Sequence, residues 1–384
     1  MRALTAVVLA LAVWTISLPA QTGWLSASQQ IAPGILYFTS TDRTLVEDTG
    51  PIAVYLLRLD PARVRLVDTL ARGEVLGTET VQTIAANHQA VAAINGGFFN
   101  RANGEPVGIL KIGGELVSDS SVVRGAVLIH SPPMGRTSLE FDQLSVSMTL
   151  SLKIGSRTWR LPIDGIDTTR ARGKLMLYTP RYHADTDTAA TGTEWVLEGQ
   201  PLRVTSMRRL QGHTIIPRHG VVLSYGGVDL PPALAALSID QPVSLTTVWT
   251  AVNGLTAAAL DRADSIVNGA GLLRLHGRTL DNWETVERLS AENFINMRHP
   301  RTLIGVDESG AIWMGAIDGR QPDHSIGMTL PDLARLAERL HLRDALNLDG
   351  GGSTTLVANS RILNMPSDPT GPRPISDAIL VMLR

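Results

Sequence analysis

The sequence predicts a sheet-rich α+β domain: a mixed fold with a few helices packed on the sheet, and Gly-rich turns at strand ends forming the site. Three observations carry this. Short apolar runs alternating with period two recur along most of the 384 residues. A unit of helix, buried apolar strand, and then Asn or Asp followed by glycine occurs three times. No Pro/Ser-rich linker, true repeat or low-complexity tract divides the chain after about residue 30.

The elements follow in order. Ile52–Leu59 and Val64–Val67 alternate on either side of Asp60-Pro61 and read as an antiparallel pair. Thr78–His88 places Val81, Ile84, Ala85 and His88 at helical spacing with Thr78 as cap, and Ala90–Ile94 after it is apolar throughout, as a strand buried on both faces requires. That strand ends on Asn95-Gly96-Gly97-Phe98-Phe99. Ile109–Val117 is a hairpin around Gly113-Gly114. Phe141–Arg160, Gly173–Tyr178, Trp195–Val204 and His219–Tyr225 are strand candidates, and Ala184–Thr193 is a loop by composition. The helix-prone stretch Leu255–Ala263 precedes Ser265–Val267 and the turn Asn268-Gly269-Ala270-Gly271. Leu303–Val306 and Ala311–Gly315 form a hairpin around Asp307–Gly310. Thr329, with Asp332 three places on, caps a helix whose stripe is Leu333, Leu336, Ala337 and Leu340. The run Asp344–Leu348 then ends on Asp349-Gly350-Gly351-Gly352-Ser353-Thr354.

An acid ahead of three glycines lets a ligand approach the main chain without meeting a Cβ, although such a carboxylate can also do no more than cap a turn. If the three Asn/Asp-Gly strands lie side by side in one sheet, their polar ends converge at one edge.

Composition narrows the function classes. With 34 basic and 36 acidic residues and no like-charge run, no surface suits a polyanion, so nucleic acid is not an expected partner. The absence of cysteine excludes disulfides, a thiolate nucleophile and thiolate metal ligands. The nine histidines fit no zinc spacing. Arg2 followed by Leu4–Leu18 and Pro19-Ala20-Gln21 reads as an export signal cut after Ala20, with an uncleaved anchor as the rival reading. Either way the body is expected outside the cytoplasm, secreted or periplasmic in a bacterium, with no membrane span after signal removal.

The ordered set Asn95-Gly96-Gly97-Phe98-Phe99, Leu177–Pro180, Asn268–Leu273, Arg301–Val306, Asp318-Gly319-Arg320 and Asn347–Thr354 resembles the phosphodiester glycosidase family over roughly residues 80–384. Residues 1–20 are then the signal, 21–79 an N-terminal β-rich part, and 80–384 the family domain. The resemblance implies cleavage of the bond between a sugar's anomeric carbon and a phosphodiester, with N-acetylglucosamine as the sugar.

Such a reaction passes through an oxocarbenium-like state and uses carboxyl groups, while the leaving phosphate needs its charge held. Asp349 and Asp318, each followed by glycine, are the expected catalytic acids. Arg301 and Arg320 are the anion binders, since guanidinium forks onto phosphate oxygens. Asn95, Gly96, Gly97, Asn268, Gly269, Thr302, Gly350, Gly351, Ser353 and Thr354 complete the expected substrate-binding set. His299 offers a general acid by its chemistry, and Phe98 or Phe99 a stacking face. No cofactor is required; calcium or magnesium would suit Asp318 and Asp349 with nearby oxygens, and the metal stays open. The expected partner is a sugar phosphodiester or glycan, with the oligomeric state open. Two alternatives stand beside the glycosidase: a metal-dependent phosphodiesterase on a similar substrate, and a non-catalytic glycan-binding module of the cell envelope.

Overall fold

The computed structural model describes residues 23–384; the stretch read as an export signal, residues 1–20, lies outside the described residues. The fold is a sheet-rich α+β domain. An eight-stranded sheet runs Gln29–Ala32, Ile35–Ser40, Val54–Leu59, Ile312–Ile317, Arg301–Asp307, Leu342–Asn347, Leu272–Leu275, Arg278–Thr279. A second sheet carries Leu110–Ile112, Ser120–His130, Ser138–Ile154 and Ser265–Asn268. A third contains Leu175–Tyr178, Thr193–Glu198, Arg203–Arg209 and Gly220–Tyr225, and a fourth Val64–Leu70, Ala92–Asn95, Leu356–Ala358 and Asp377–Leu383. The largest apolar cluster draws on all four sheets, with Leu57, Ile94, Val127, Val222, Leu346 and Ile379 among its members. Burying each such side chain contributes roughly 1.5–3 kcal/mol, which holds the sheets as one body.

Local signals acted where the sequence puts them. Thr329 accepts from the Asp332 N–H at 3.1 Å while Asp332 accepts from the Thr329 N–H, and the helix Leu330–Arg339 buries Leu333, Leu336 and Ala337, with the C-cap Leu340 buried after them. The hairpin Arg301–Asp307 with Ile312–Ile317 turns on Gly310, whose φ of 82° favours glycine. The helix after residue 78 starts later than expected. It spans Val81–Asn87 and is capped by Thr80, whose side chain accepts from the Thr83 N–H. Phe141–Arg160 and Trp195–Val204 are each two strands joined by a turn, and Ser120–His130, Val243–Ala251 and Asp377–Leu383 are strands the sequence reading does not single out.

Two pairings depart from expectation. Val54–Leu59 and Val64–Leu70 do not pair with each other. The first lies between Ile35–Ser40 and Ile312–Ile317, and the second pairs with Asp377–Leu383, so the Asp60 turn carries the chain from one sheet to another. The three strands ending in Asn95, Asn268 and Asn347 do not share a sheet; each belongs to a different one. Apolar strands buried on both faces look alike in sequence whichever sheet they enter. Among the described residues no helix is long and apolar enough to cross a membrane.

Candidate active site

The three strand ends at Asn95, Asn268 and Asn347 interlock although their sheets differ. The Asn347 side chain donates to the Ala270 carbonyl at 2.8 Å, and the Ala270 N–H returns a bond to the Asn347 carbonyl at 2.9 Å. The Asp349 N–H donates to the Gly96 carbonyl at 3.2 Å, and Asn95 Nδ2 donates to the Asp349 carbonyl at 2.8 Å. The strand Leu342–Asn347 pairs with Arg301–Asp307, and the Leu348 N–H extends that ladder to the Thr302 carbonyl. Asp349 therefore leaves a rigid sheet at a point gripped from the side by the turn at residue 96.

The side chains expected to meet a substrate fall into two groups. Asn95, Thr302 and Thr354 are buried and bonded to one another. Thr302 Oγ1 donates to Asn95 Oδ1 at 3.0 Å and lies 3.2 Å from Thr354 Oγ1, while Asn95 Oδ1 also accepts from the Thr355 N–H. Asn268 is likewise buried, with Oδ1 accepting from the Ile109 N–H and Nδ2 donating to the Gly125 carbonyl at 3.1 Å. In this geometry Asn95, Thr302, Thr354 and Asn268 form the frame of the site. Gly97 and Gly269 lie against backbone oxygens of Asn268 and Asn347 and lock the frame.

Asp349 remains partly accessible at the surface. Burial by the protein around it is the main force raising its carboxyl pKa to about 7, and the charge of Asp377 adds to this. Ser353, the Gly350 N–H at 2.8 Å and the Arg373 guanidinium act in the opposite sense. A carboxyl poised near neutrality at the edge of a site can hold or release a proton under working conditions. Ser353 is fully buried beside it, and its hydroxyl has no well-formed hydrogen bond among the described residues.

Asp318 is placed differently. Its carboxyl is buried and accepts from Asn364 Nδ2 at 2.9 Å, from the Met365 N–H at 3.0 Å and from His324 Nε2 at 2.8 Å. Burial raises its pKa and these donors oppose the rise. These three partners are N–H donors that hold the carboxyl in place. Asp318 thus pins the segment at Met365 against the loop at His324.

The arginines meet across the glycines. Arg320, left-handed at φ 62°, lays its guanidinium over Gly351, with Nη1 3.0 Å from the place a Cβ would take. Arg301 is buried beneath it and donates through Nε to the Met328 carbonyl and through Nη2 to the Phe294 and Met297 carbonyls, with its guanidinium 4.8 Å from the Phe294 ring. Burial first, and Arg320 second, bring the Arg301 pKa down to about 9, so it stays charged at neutral pH. Among the described residues neither arginine has a carboxylate within salt-bridge distance; the acid whose charge reaches Arg301, Asp332, is paired with Arg298 and Arg335.

His299 joins this pair. Arg320 Nη2 lies 3.0 Å from His299 Nδ1, and a guanidinium can only donate, so Nδ1 accepts and the ring proton sits on Nε2, which faces the Asn293 carbonyl at 3.3 Å. Burial lowers the His299 pKa and both arginines add to the effect, with the Asn293 carbonyl opposing it. A neutral histidine held in that tautomer is a poor general acid. Phe98 and Phe294, both partly exposed, stand 6.1 Å apart at 56° beside Arg301 and offer an apolar wall.

Two site residues escaped the sequence reading. Arg373, paired with Asp368 at 2.8 Å, lies on Gly352, where a Cβ would come within 2.3 Å of its Nη2. Asp377 lies under Gly96, where a Cβ would fall 1.7 Å from its Oδ2. The glycines were the available signal, since each marks a close approach without naming the partner.

Comparison with known proteins gives the following. Residues 192–382 match the family model described as phosphodiester glycosidase. A stretch of 85 residues, 22% of this chain, is 35% identical to the N-acetylglucosamine-1-phosphodiester alpha-N-acetylglucosaminidase of Mus musculus and 36% identical to that of Homo sapiens. The match spans 16% of the length of each relative. Among solved structures, a hypothetical protein from Synechocystis superposes with a TM-score of 0.76 at 25% identity, over 93% of this chain and 63% of that one. A protein from Burkholderia pseudomallei superposes with a TM-score of 0.72 at 23% identity, over 87% and 74% of the two chains, and shares the fold.

Proposed function

We propose that this chain, which carries a phosphodiester glycosidase domain at residues 192–382, hydrolyses the anomeric C–O bond of a sugar 1-phosphodiester. The observation that carries the reading is one glycine turn that opens on Asp349, a carboxyl poised near pH 7, and carries over Gly351 the Arg320 guanidinium, which has no carboxylate within salt-bridge distance among the described residues. Arg320, backed by the charge of Arg301, holds the phosphate. Asp349, in its ionised form, attacks the anomeric carbon or activates a water towards it. The departing phosphodiester is a weak base and needs its charge stabilised more than it needs a proton, so a neutral His299 and a structural Asp318 are compatible with turnover. Phe98 and Phe294 supply an apolar wall for the sugar ring.

N-acetylglucosamine is the proposed sugar, on the strength of what the mouse and human relatives act on. The proposed setting is an envelope or exopolysaccharide glycan outside a bacterial cell, supported by the export-like start at residues 2–20. No cofactor is proposed. The test is turnover of an α-N-acetylglucosamine 1-phosphodiester by purified protein and by Asp349→Asn. The reading expects free sugar from the former and a loss of at least about 100-fold in kcat in the latter; unchanged turnover in Asp349→Asn removes this residue from the chemistry. A glycan-binding module would hold the same compound without releasing product.

A further inference from the structure

We propose that Asp377 is a positioning residue that holds and tunes Asp349 through the Gly96–Gly97 turn. It deepens the reading above and rests on Asp349 being the reactive carboxyl. Asp377 opens the strand Asp377–Leu383, directly beside Ala92–Asn95, with Ala378 in register with Asn95. It grips both amides of the turn: its main-chain carbonyl accepts from the Gly96 N–H at 2.9 Å, and its Oδ2 accepts from the Gly97 N–H at 3.0 Å. The other side of the same turn holds Asp349, whose N–H donates to the Gly96 carbonyl at 3.2 Å. One residue of turn thus separates the two acids. No side chain larger than hydrogen fits at position 96, because Asp377 Oδ2 occupies the Cβ site.

Asp377 is 1% exposed and cannot meet a substrate. Burial raises its carboxyl pKa, and the donors on both oxygens, the Gly97 N–H on Oδ2 and Ser376 Oγ on Oδ1 at 2.8 Å, oppose that rise and favour the charged form. Behind it, on the same face of the sheet, stands Asp68, diagonal to Asp377 because Ile379 is the residue paired with Asp68. Asp68 is 1% exposed and neither of its oxygens has a hydrogen-bond partner among the described residues. Two adjacent buried carboxylates cannot both be charged at modest cost, and the donors favour Asp377 as the charged member. Asp68 is then the neutral acid that packs behind it. The negative charge of Asp377 opposes ionisation of Asp349, while the charge of Arg373, the Ser353 hydroxyl and the Gly350 N–H favour it. Removing the charge of Asp377 while keeping an acceptor for the Gly97 N–H should ease ionisation of Asp349.

The experiment uses the full chain with 13C-labelled aspartate. The carboxyl resonance of Asp349, assigned by its absence in Asp349→Asn, is titrated in wild type, Asp377→Asn and Ser376→Ala, and the pH profile of kcat/KM is measured in parallel. Asp377→Asn should move the Asp349 titration and the acidic limb of the profile down by about one pH unit. Ser376→Ala, which weakens the charged form of Asp377, should move both in the same direction by less. A merely structural role would lower kcat or stability and leave the titration where it was, and an unmoved Asp349 resonance in the folded variants overturns the proposal. If Asp377→Asn does not fold, Ser376→Ala decides alone. The resonance reads the coupling whether or not the wild type turns over a sugar phosphodiester, so failure of the proposed reaction and failure of this inference are separate results.

Discussion

Arg320 Nη2 donates to Nδ1 of His299 across 3.0 Å, and that bond fixes the histidine as a neutral ring. The arginine needs no carboxylate to aim it, so its charge stays available above Gly351. Arg320→Ala should raise KM for a phosphodiester by on the order of 10- to 100-fold, the equivalent of about 1.5–3 kcal/mol for a charge-assisted bond. It should leave KM for a neutral glycoside within a few-fold. Equal losses on both substrates would place Arg320 outside the anion site.

His299→Asn keeps an acceptor for Arg320 and removes the imidazole. Turnover should stay within about 5-fold of wild type, because no proton transfer is assigned to that ring. A loss of 100-fold or more in kcat with KM unchanged would restore His299 as an acid.

The pH profile follows from Asp349. Burial raises its pKa to about 7, and the reaction uses the ionised form, so kcat/KM should fall as pH drops through about 7 and level off above it. Arg373 opposes this rise. Arg373→Ala should therefore move the limb to higher pH, opposite in sign to Asp377→Asn. A profile that falls with rising pH through 7 would instead make Asp349 a proton donor.

Asp349 was legible because an acid before three glycines is a local signal, and the capping box at Thr329 and the glycine turn at Gly113-Gly114 were legible for the same reason. Asp377 was not, because an acid at the start of Ala378–Leu383 reads as an ordinary strand boundary until that strand is seen beside Ala92–Asn95. Arg373 sits in a proline-rich segment whose path over Gly352 is set only by tertiary packing. The reverse happened at Asn95 and Arg301. Both have the right chemistry for a ligand, and the fold turns that chemistry inward, to Thr302 and Thr355 in one case and to three backbone carbonyls in the other.

Asp68 should show itself in stability. Burial holds its folded pKa well above the unfolded value, so its neutral form is favoured in the fold and it takes up a proton on folding as pH rises above about 3.9. Its contribution is therefore neutral below the unfolded pKa and becomes a penalty as pH climbs towards the folded one. Asp68→Asn removes that dependence. Relative to the variant, wild type should lose stability as pH rises above about 3.9, by at most about 1.4 kcal/mol per pH unit, read by urea unfolding at a series of pH values from 4 upward. Parallel stability curves would mean that Asp68 is not buried as a neutral acid.

The most direct test of C–O cleavage at this site is hydrolysis of an α-N-acetylglucosamine 1-phosphodiester in oxygen-18 water, with both products weighed by mass spectrometry. Attack at the anomeric carbon, with Asp349 as nucleophile or base, predicts the label on the sugar's anomeric hydroxyl and none in the phosphate. Label in the phosphate would mean that the P–O bond breaks and would contradict the account.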